Sequence, residues 1–117
     1  MKKLLLSAFL LLGCVAMQAQ NAAPAGNVEN GKKLWAKDNC YSCHGFDGHG
    51  GAGAKIAPKP IALQGFIAIV RKPPKSNMPT FSSKVVSDAE LRDMWAYLNS
   101  IPATPDVKDI PLLNAIQ

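Results

Sequence analysis

The stretch Cys40-Tyr41-Ser42-Cys43-His44 constrains this chain more than any other. Two thiols stand three positions apart and an imidazole follows at once. Behind it comes a loop rich in glycine, with Gly45, Gly48, Gly50, Gly51 and Gly53. A chain of 117 residues builds only a thin hydrophobic core, so a disulfide, a metal or a covalent cofactor is expected to staple it. The cysteine–histidine stretch is where such a staple would attach.

Three chemistries fit such a motif to different degrees. A structural zinc site wants four ligands, usually from two cysteine knuckles. Here the second knuckle is missing, and adding His44 and His49 would crowd the set far more tightly than a zinc finger. A thioredoxin-like disulfide centre uses the same spacing but sits after a strand. What precedes Cys40 reads as helix, from Asn30 to Lys37. A plain disulfide of an exported protein stays open. The third chemistry uses all three side chains, because C-x-x-C-H is the attachment signature of c-type haem. Both thiols would add to the porphyrin vinyl groups as thioethers. Tyr41 and Ser42 span one turn, so both sulfurs face one ring edge, and His44 supplies the proximal nitrogen to iron.

The N-terminal stretch favours an oxidising destination. Lys2 and Lys3 form a basic start, Leu4 to Val15 are nearly all apolar, and small and polar residues follow. This is the pattern of a secretory signal peptide over residues 1–19, cleaved after Ala19. Leu11-Leu12-Gly13-Cys14 also resembles a lipobox, so cleavage before Cys14 with a lipid anchor on its sulfur is the alternative. The apolar run is too short for a permanent span, and no transmembrane segment is expected in the mature chain. Residues 20–26 read as a flexible segment, 27–101 as one domain and 102–117 as an extension. The expected location is the periplasm, soluble or lipid-anchored. Without Lys2 and Lys3 the formal charge falls from +5 to +3. No dense basic tract remains, and aromatics do not alternate with basic residues, so nucleic-acid binding is not expected.

A six-coordinate haem needs a distal ligand, and His/Met ligation suits electron transfer. Met78 is the candidate, in the polar, proline-rich loop Lys75-Ser76-Asn77-Met78-Pro79-Thr80-Phe81. A methionine there has little reason to be core, and its thioether is a soft ligand. Pro79 biases Met78 toward extended backbone, and Pro73 and Pro74 stiffen the approach. Met94 sits in a helical pattern where packing is the natural role. His49 lies too close in sequence to His44 to reach the opposite face and is expected at the surface.

With these residues in hand, the chain resembles a small bacterial class I cytochrome c with a single haem. The resemblance runs from about Asn27 to Ile101. It rests on Cys40-Tyr41-Ser42-Cys43-His44-Gly45, on Met78-Pro79-Thr80-Phe81, and on the segment from Asp88 to Leu98. It implies that Gly31 is the small residue where the first and last helices cross, and that Trp35 packs on Tyr97. It also implies a proline carbonyl that accepts the ring N–H of His44, for which Pro58 is the first choice and Pro60 the neighbour. The function it implies is one-electron transfer by haem c rather than enzymatic catalysis. Donor and acceptor would be redox proteins such as a dehydrogenase or a terminal oxidase, and Lys55, Lys59, Lys72 and Lys75 would be rim charges for an acidic partner. Binding or sensing of a small ligand after Met78 dissociates is the alternative within haem chemistry. A non-haem disulfide or metal protein is the alternative outside it.

Hydrophobic periodicity gives a first helix from about Val28 to Asn39, with Leu34, Trp35 and Val28 on its apolar side, and a short helix over Ile61 to Arg71. A last helix is capped by Ser87 with Glu90 completing a capping box. Leu91, Met94, Trp95 and Leu98 follow its apolar face, and Pro102 stops it. No alternation requires a sheet. The expected fold is all-α, a class I cytochrome c-like domain wrapped around one covalently attached haem.

Overall fold

The computed structural model describes residues 25–58 and 61–116. The signal segment, Cys14, Lys59 and Pro60 lie outside the described residues. Four helices build the domain: α1 (Val28–Lys37), α2 (Tyr41–His44), α3 (Leu63–Arg71) and α4 (Asp88–Ser100). No strand occurs among the described residues. The all-α expectation therefore holds.

Two of these helices start where the side chains dictate. Asn27 caps α1 by accepting the Asn30 N–H. Ser87 caps α4, and its capping box is complete: Ser87 Oγ accepts the Glu90 N–H, while the Glu90 carboxylate accepts the Ser87 N–H. Such caps satisfy backbone N–H groups that have no partner inside the helix. The first helix stops at Lys37, two residues short of the expected Asn39, because Asn39 turns into positive φ (60°). Helical geometry resumes at once in α2, which carries the cysteine–histidine motif itself.

The long helices α1 and α4 pack against each other. A Cβ on Gly31 would stand 2.0 Å from the Asp93 carbonyl oxygen, so the two backbones touch where only glycine fits. Asp93 fastens the same crossing by accepting the Asn27 N–H (2.8 Å) and the Asn30 side-chain amide (2.7 Å). Trp35 and Tyr97 meet one step further along, with ring centroids 6.4 Å apart and a 56° tilt. Leu34, Trp35, Leu91, Met94, Tyr97 and Leu98 are buried between the helices and the chain that covers them. Val28, expected on the apolar side of α1, is instead 37% exposed. Asn27 and Asn30 on either side of it bond to Asp93 of α4, while Val28 itself stays on the exposed side of the crossing.

Helix α3 closes the other side with Phe66 and Val70 buried. After Pro102 the chain is not a featureless tail. It forms a short 3₁₀ turn (Val107–Asp109) and one turn of helix, α5 (Pro111–Asn114). Proline at the first turn of α5 suits a helix start.

Candidate haem-binding site

Helix α2 is one turn long, so Cys40, just before it, and Cys43 and His44 at its end fall on one side of the chain. They line a single cavity of about 450 Å³. Phe66, Val70, Val86, Leu91 and Met94 supply apolar wall, and Ser76, Asn77, Met78, Pro79 and Phe81 also line it. Cysteines, histidine and Met78 come from segments more than thirty positions apart and converge on one apolar space. A volume of this size is that of an ordinary cofactor pocket. Met94, expected as packing, is buried and also borders this space.

The donor set fits a covalently held haem. Cys40 and Cys43 stand as separate thiols, Cys43 exposed and Cys40 half-buried. Burial, then the Asp38 charge, push the Cys40 thiol up to about 11. Cys40 therefore stands as a neutral thiol beside the apolar lining of the cavity. Among the described residues, no group of three or more histidine, cysteine or acidic side chains converges on a metal-binding point.

The orientation of His44 is set by a neighbour other than the one expected. Its Nδ1 lies 2.8 Å from the carbonyl oxygen of Ala54. Pro58 does not take this bond, and Ala54 replaces it. The cause is the path of the glycine-rich loop. Gly45 and Gly50 adopt φ of 79° and 104°, conformations that favour glycine. The loop turns back, with the Gly50 N–H on the His44 carbonyl (2.9 Å) and the Gly53 N–H on the Cys43 carbonyl (2.7 Å). A Cβ on Gly53 would stand 3.0 Å from His44 Cε1. The loop thus lies against the imidazole itself, and Ala54 is the first carbonyl beyond it. With Nδ1–H donated to that carbonyl, Nε2 is the nitrogen left to act as a ligand.

Aromatic groups brace the motif, and Trp35 among them also lines the cavity. Trp35, 4% exposed, donates its Nε1–H to the Gly45 carbonyl at 3.1 Å. Its ring also lies 6.0 Å from His44, centroid to centroid. The Tyr97 hydroxyl donates to the Phe46 carbonyl at 3.0 Å. Burial, then the Asp47 charge, raise the Tyr97 pKa above its ordinary value and keep it a donor. Tyr41 and Phe46 stack with centroids 4.7 Å apart, and Phe46 is largely exposed.

Some site features escaped the sequence. Asp38 borders the cavity with a buried carboxylate oxygen that has no partner, and its pKa is raised chiefly by desolvation. His49, expected at the surface, is half-buried with its Nε2 out of solvent. Neither residue type signals its burial through spacing. Lys55, Lys72 and Lys75 are exposed, and Lys55 donates to the Thr104 hydroxyl at 3.0 Å, tying the extension to the domain. No helix among the described residues is long and apolar enough to cross a membrane.

Comparison with known proteins agrees with this geometry. A family described as "Cytochrome C oxidase, cbb3-type, subunit III" matches residues 26–98. The cytochrome bc1 complex cytochrome c subunit of Corynebacterium diphtheriae is 38% identical over 104 residues, covering 80% of this chain and 36% of that protein. The protein of the same description from Corynebacterium efficiens is 39% identical over 71 residues, covering 57% of this chain and 24% of that protein. The chain thus spans about a third or less of the curated relatives it matches. No solved structure matches significantly. The matched span runs from the α1 cap into α4 and contains Cys40, Cys43, His44 and Met78, and with it the chain belongs to the cytochrome c family described as cytochrome c oxidase, cbb3-type, subunit III.

Proposed function

We propose that this chain is a one-electron carrier in which Cys40 and Cys43 anchor haem c and His44 and Met78 are its axial ligands. The observation that carries this is the convergence of both thiols, the histidine and Met78 on one apolar cavity. When bound, haem supplies the Fe(III)/Fe(II) couple. The protein's own contribution is positional. Ala54 holds His44 in one tautomer and one orientation. Phe66, Val70 and Leu91 keep water from the cavity, and the Met78 thioether favours a relatively positive potential.

Residues 27–101 form the electron-transfer domain, exported by the N-terminal segment to the periplasm, with a lipid anchor at Cys14 as the alternative tether. Curated relatives are described as cytochrome c subunits of bc1 complexes, which supports work beside or within a respiratory complex. A redox protein would deliver the electron and another would accept it. Lys55, Lys72 and Lys75 are exposed and would be the rim charges that meet an acidic partner.

The deciding experiment records oxidised and reduced absorption spectra of protein matured by a cytochrome c assembly system, beside Met78→Ala. The expected result is a c-type reduced spectrum plus a weak far-red sulfur–iron band that the variant loses. A c-type spectrum unchanged by the substitution would place the ligand elsewhere and restore small-ligand binding as the function. No covalent haem would return Cys40 and Cys43 to disulfide or metal chemistry.

A further inference from the structure

The segment from Lys72 to Thr80 carries Met78 yet has few hydrogen bonds of its own. Pro73, Pro74 and Pro79 lack N–H groups. Among the described residues, the Met78 N–H reaches only the Ser76 hydroxyl, at 3.3 Å. Met78 is half-buried and packs against the core. A thioether in such a segment keeps its place only if the stems of the segment are held.

The stems meet at one residue. Phe81, three positions after Met78, donates its N–H to the Val70 carbonyl at 3.2 Å. Its carbonyl accepts Nη1–H of Arg71 at 3.0 Å. Both backbone groups of Phe81 are therefore gripped by the last two residues of α3. Nη2 of the same guanidinium pairs with the Asp88 carboxylate in the first turn of α4. The Arg71 side chain is 21% exposed against 62% for Asp88, so the cation is the sheltered partner. One planar fork thus ties the end of α3, the exit of the Met78 segment and the start of α4. A lysine ammonium presents a point charge and does not reproduce that fork.

We infer that Arg71 is a positioning residue for Met78, holding the segment closed so that the thioether stays over the cavity; this rests on the His44/Met78 ligation proposed above. The clamp acts through backbone groups and touches neither sulfur nor cofactor. Its removal loosens Met78 while leaving the α1–α4 crossing and the His44 side intact.

The test uses haem-loaded parent, Arg71→Met, Arg71→Lys and Asp88→Asn proteins. Three quantities are read: the ferric sulfur–iron band on warming, the rate at which the ferrous protein binds carbon monoxide, and amide exchange at Phe81 against α1 and α4. In Arg71→Met, carbon monoxide binding and Phe81 exchange are expected to rise about tenfold, the factor that losing one charge-assisted hydrogen bond carries. The band fades at a lower temperature than in the parent, while exchange in α1 and α4 is unchanged. Arg71→Lys and Asp88→Asn fall between, because each keeps part of the clamp. If carbon monoxide binding and Phe81 exchange in Arg71→Met stay at the parent's values, Arg71 has no such role. A rise shared equally by α1 and α4 also overturns it, since that marks general destabilisation. A parent without the sulfur–iron band refutes the ligation itself, and the positioning role falls with it. A parent with the band and an insensitive Arg71→Met refutes the clamp alone.

Discussion

Replacing Gly31 with alanine tests whether the α1–α4 crossing organises this domain. Two effects oppose each other. Alanine is the better helix former by about 1 kcal/mol in a helix interior, and Gly31 lies within α1. Against this, the new Cβ would stand 2.0 Å from the Asp93 carbonyl oxygen, 2.4 Å from its carbonyl carbon and 2.9 Å from the Met94 nitrogen. All three are backbone atoms of α4, so no side chain can swing away. Restoring ordinary contact needs the helices to part by about 1 Å or more, in interiors that pack like crystals. Asp93 resists that shift through its bonds to Asn27 and Asn30. Overpacking of this kind costs about 1–3 kcal/mol, and rigid backbone on both sides places it near the upper end. The net expectation is a loss of about 2 kcal/mol, or a fall of about 8–16 °C in Tm for a domain of this size. Gly65→Ala is the internal control. Its Cβ would meet only the end of the Ile61 side chain, 3.0 Å away, and Ile61 is exposed and free to move. That variant is expected to gain about 0.5–1 kcal/mol from propensity alone. Circular dichroism melts of the haem-loaded proteins measure both. A Gly31→Ala protein that melts at or above the parent temperature would show that the helices do not meet as described.

The α4 capping box makes stability depend on acid. Hydrogen bonds from the Ser87 backbone and hydroxyl hold the Glu90 carboxyl below its ordinary value of 4.5. A folded pKa below the unfolded one contributes stability that is fully present above 4.5 and lost as pH falls through the folded value. The stability gap between the parent and Glu90→Gln, followed by denaturant titration, therefore shrinks as the pH drops below 4.5. A gap that stays constant through that range refutes the linkage. Trp35→Phe removes the donor to the Gly45 carbonyl and part of a buried ring. The unsatisfied carbonyl and the lost packing are expected to cost about 2 kcal/mol, read as a lower denaturation midpoint. An unshifted midpoint would mean that Trp35 does not brace the motif.

Much of the architecture was legible because it is written locally. Ser87 and Glu90 stand at capping-box spacing, and the box forms. The recurrence of Leu91, Met94 and Leu98 predicts the buried face of α4, and these three are buried. Trp95 departs in part: it stays half-buried and donates its Nε1–H to the Ile61 carbonyl, which an apolar count does not foresee. The third helix starts at Leu63 rather than Ile61, since Ala62 keeps an extended ψ of 146°. The short helices after Pro102 have too few residues for any period to show.

By itself, the sequence determined which side chains are available and how they are spaced: two thiols and an imidazole within one turn, a methionine before proline in a loop short of N–H groups, and three apolar helical patterns. These are properties of neighbouring residues, and neighbours obey backbone geometry whatever the rest of the chain does. Tertiary structure alone decided that Ala54 rather than Pro58 faces His44, and that Arg71 reaches Phe81 and Asp88 together. Each of these depends on where a turning loop or a second helix happens to pass. A carbonyl's or a guanidinium's choice of partner carries no residue-type signature, so only the folded chain shows it.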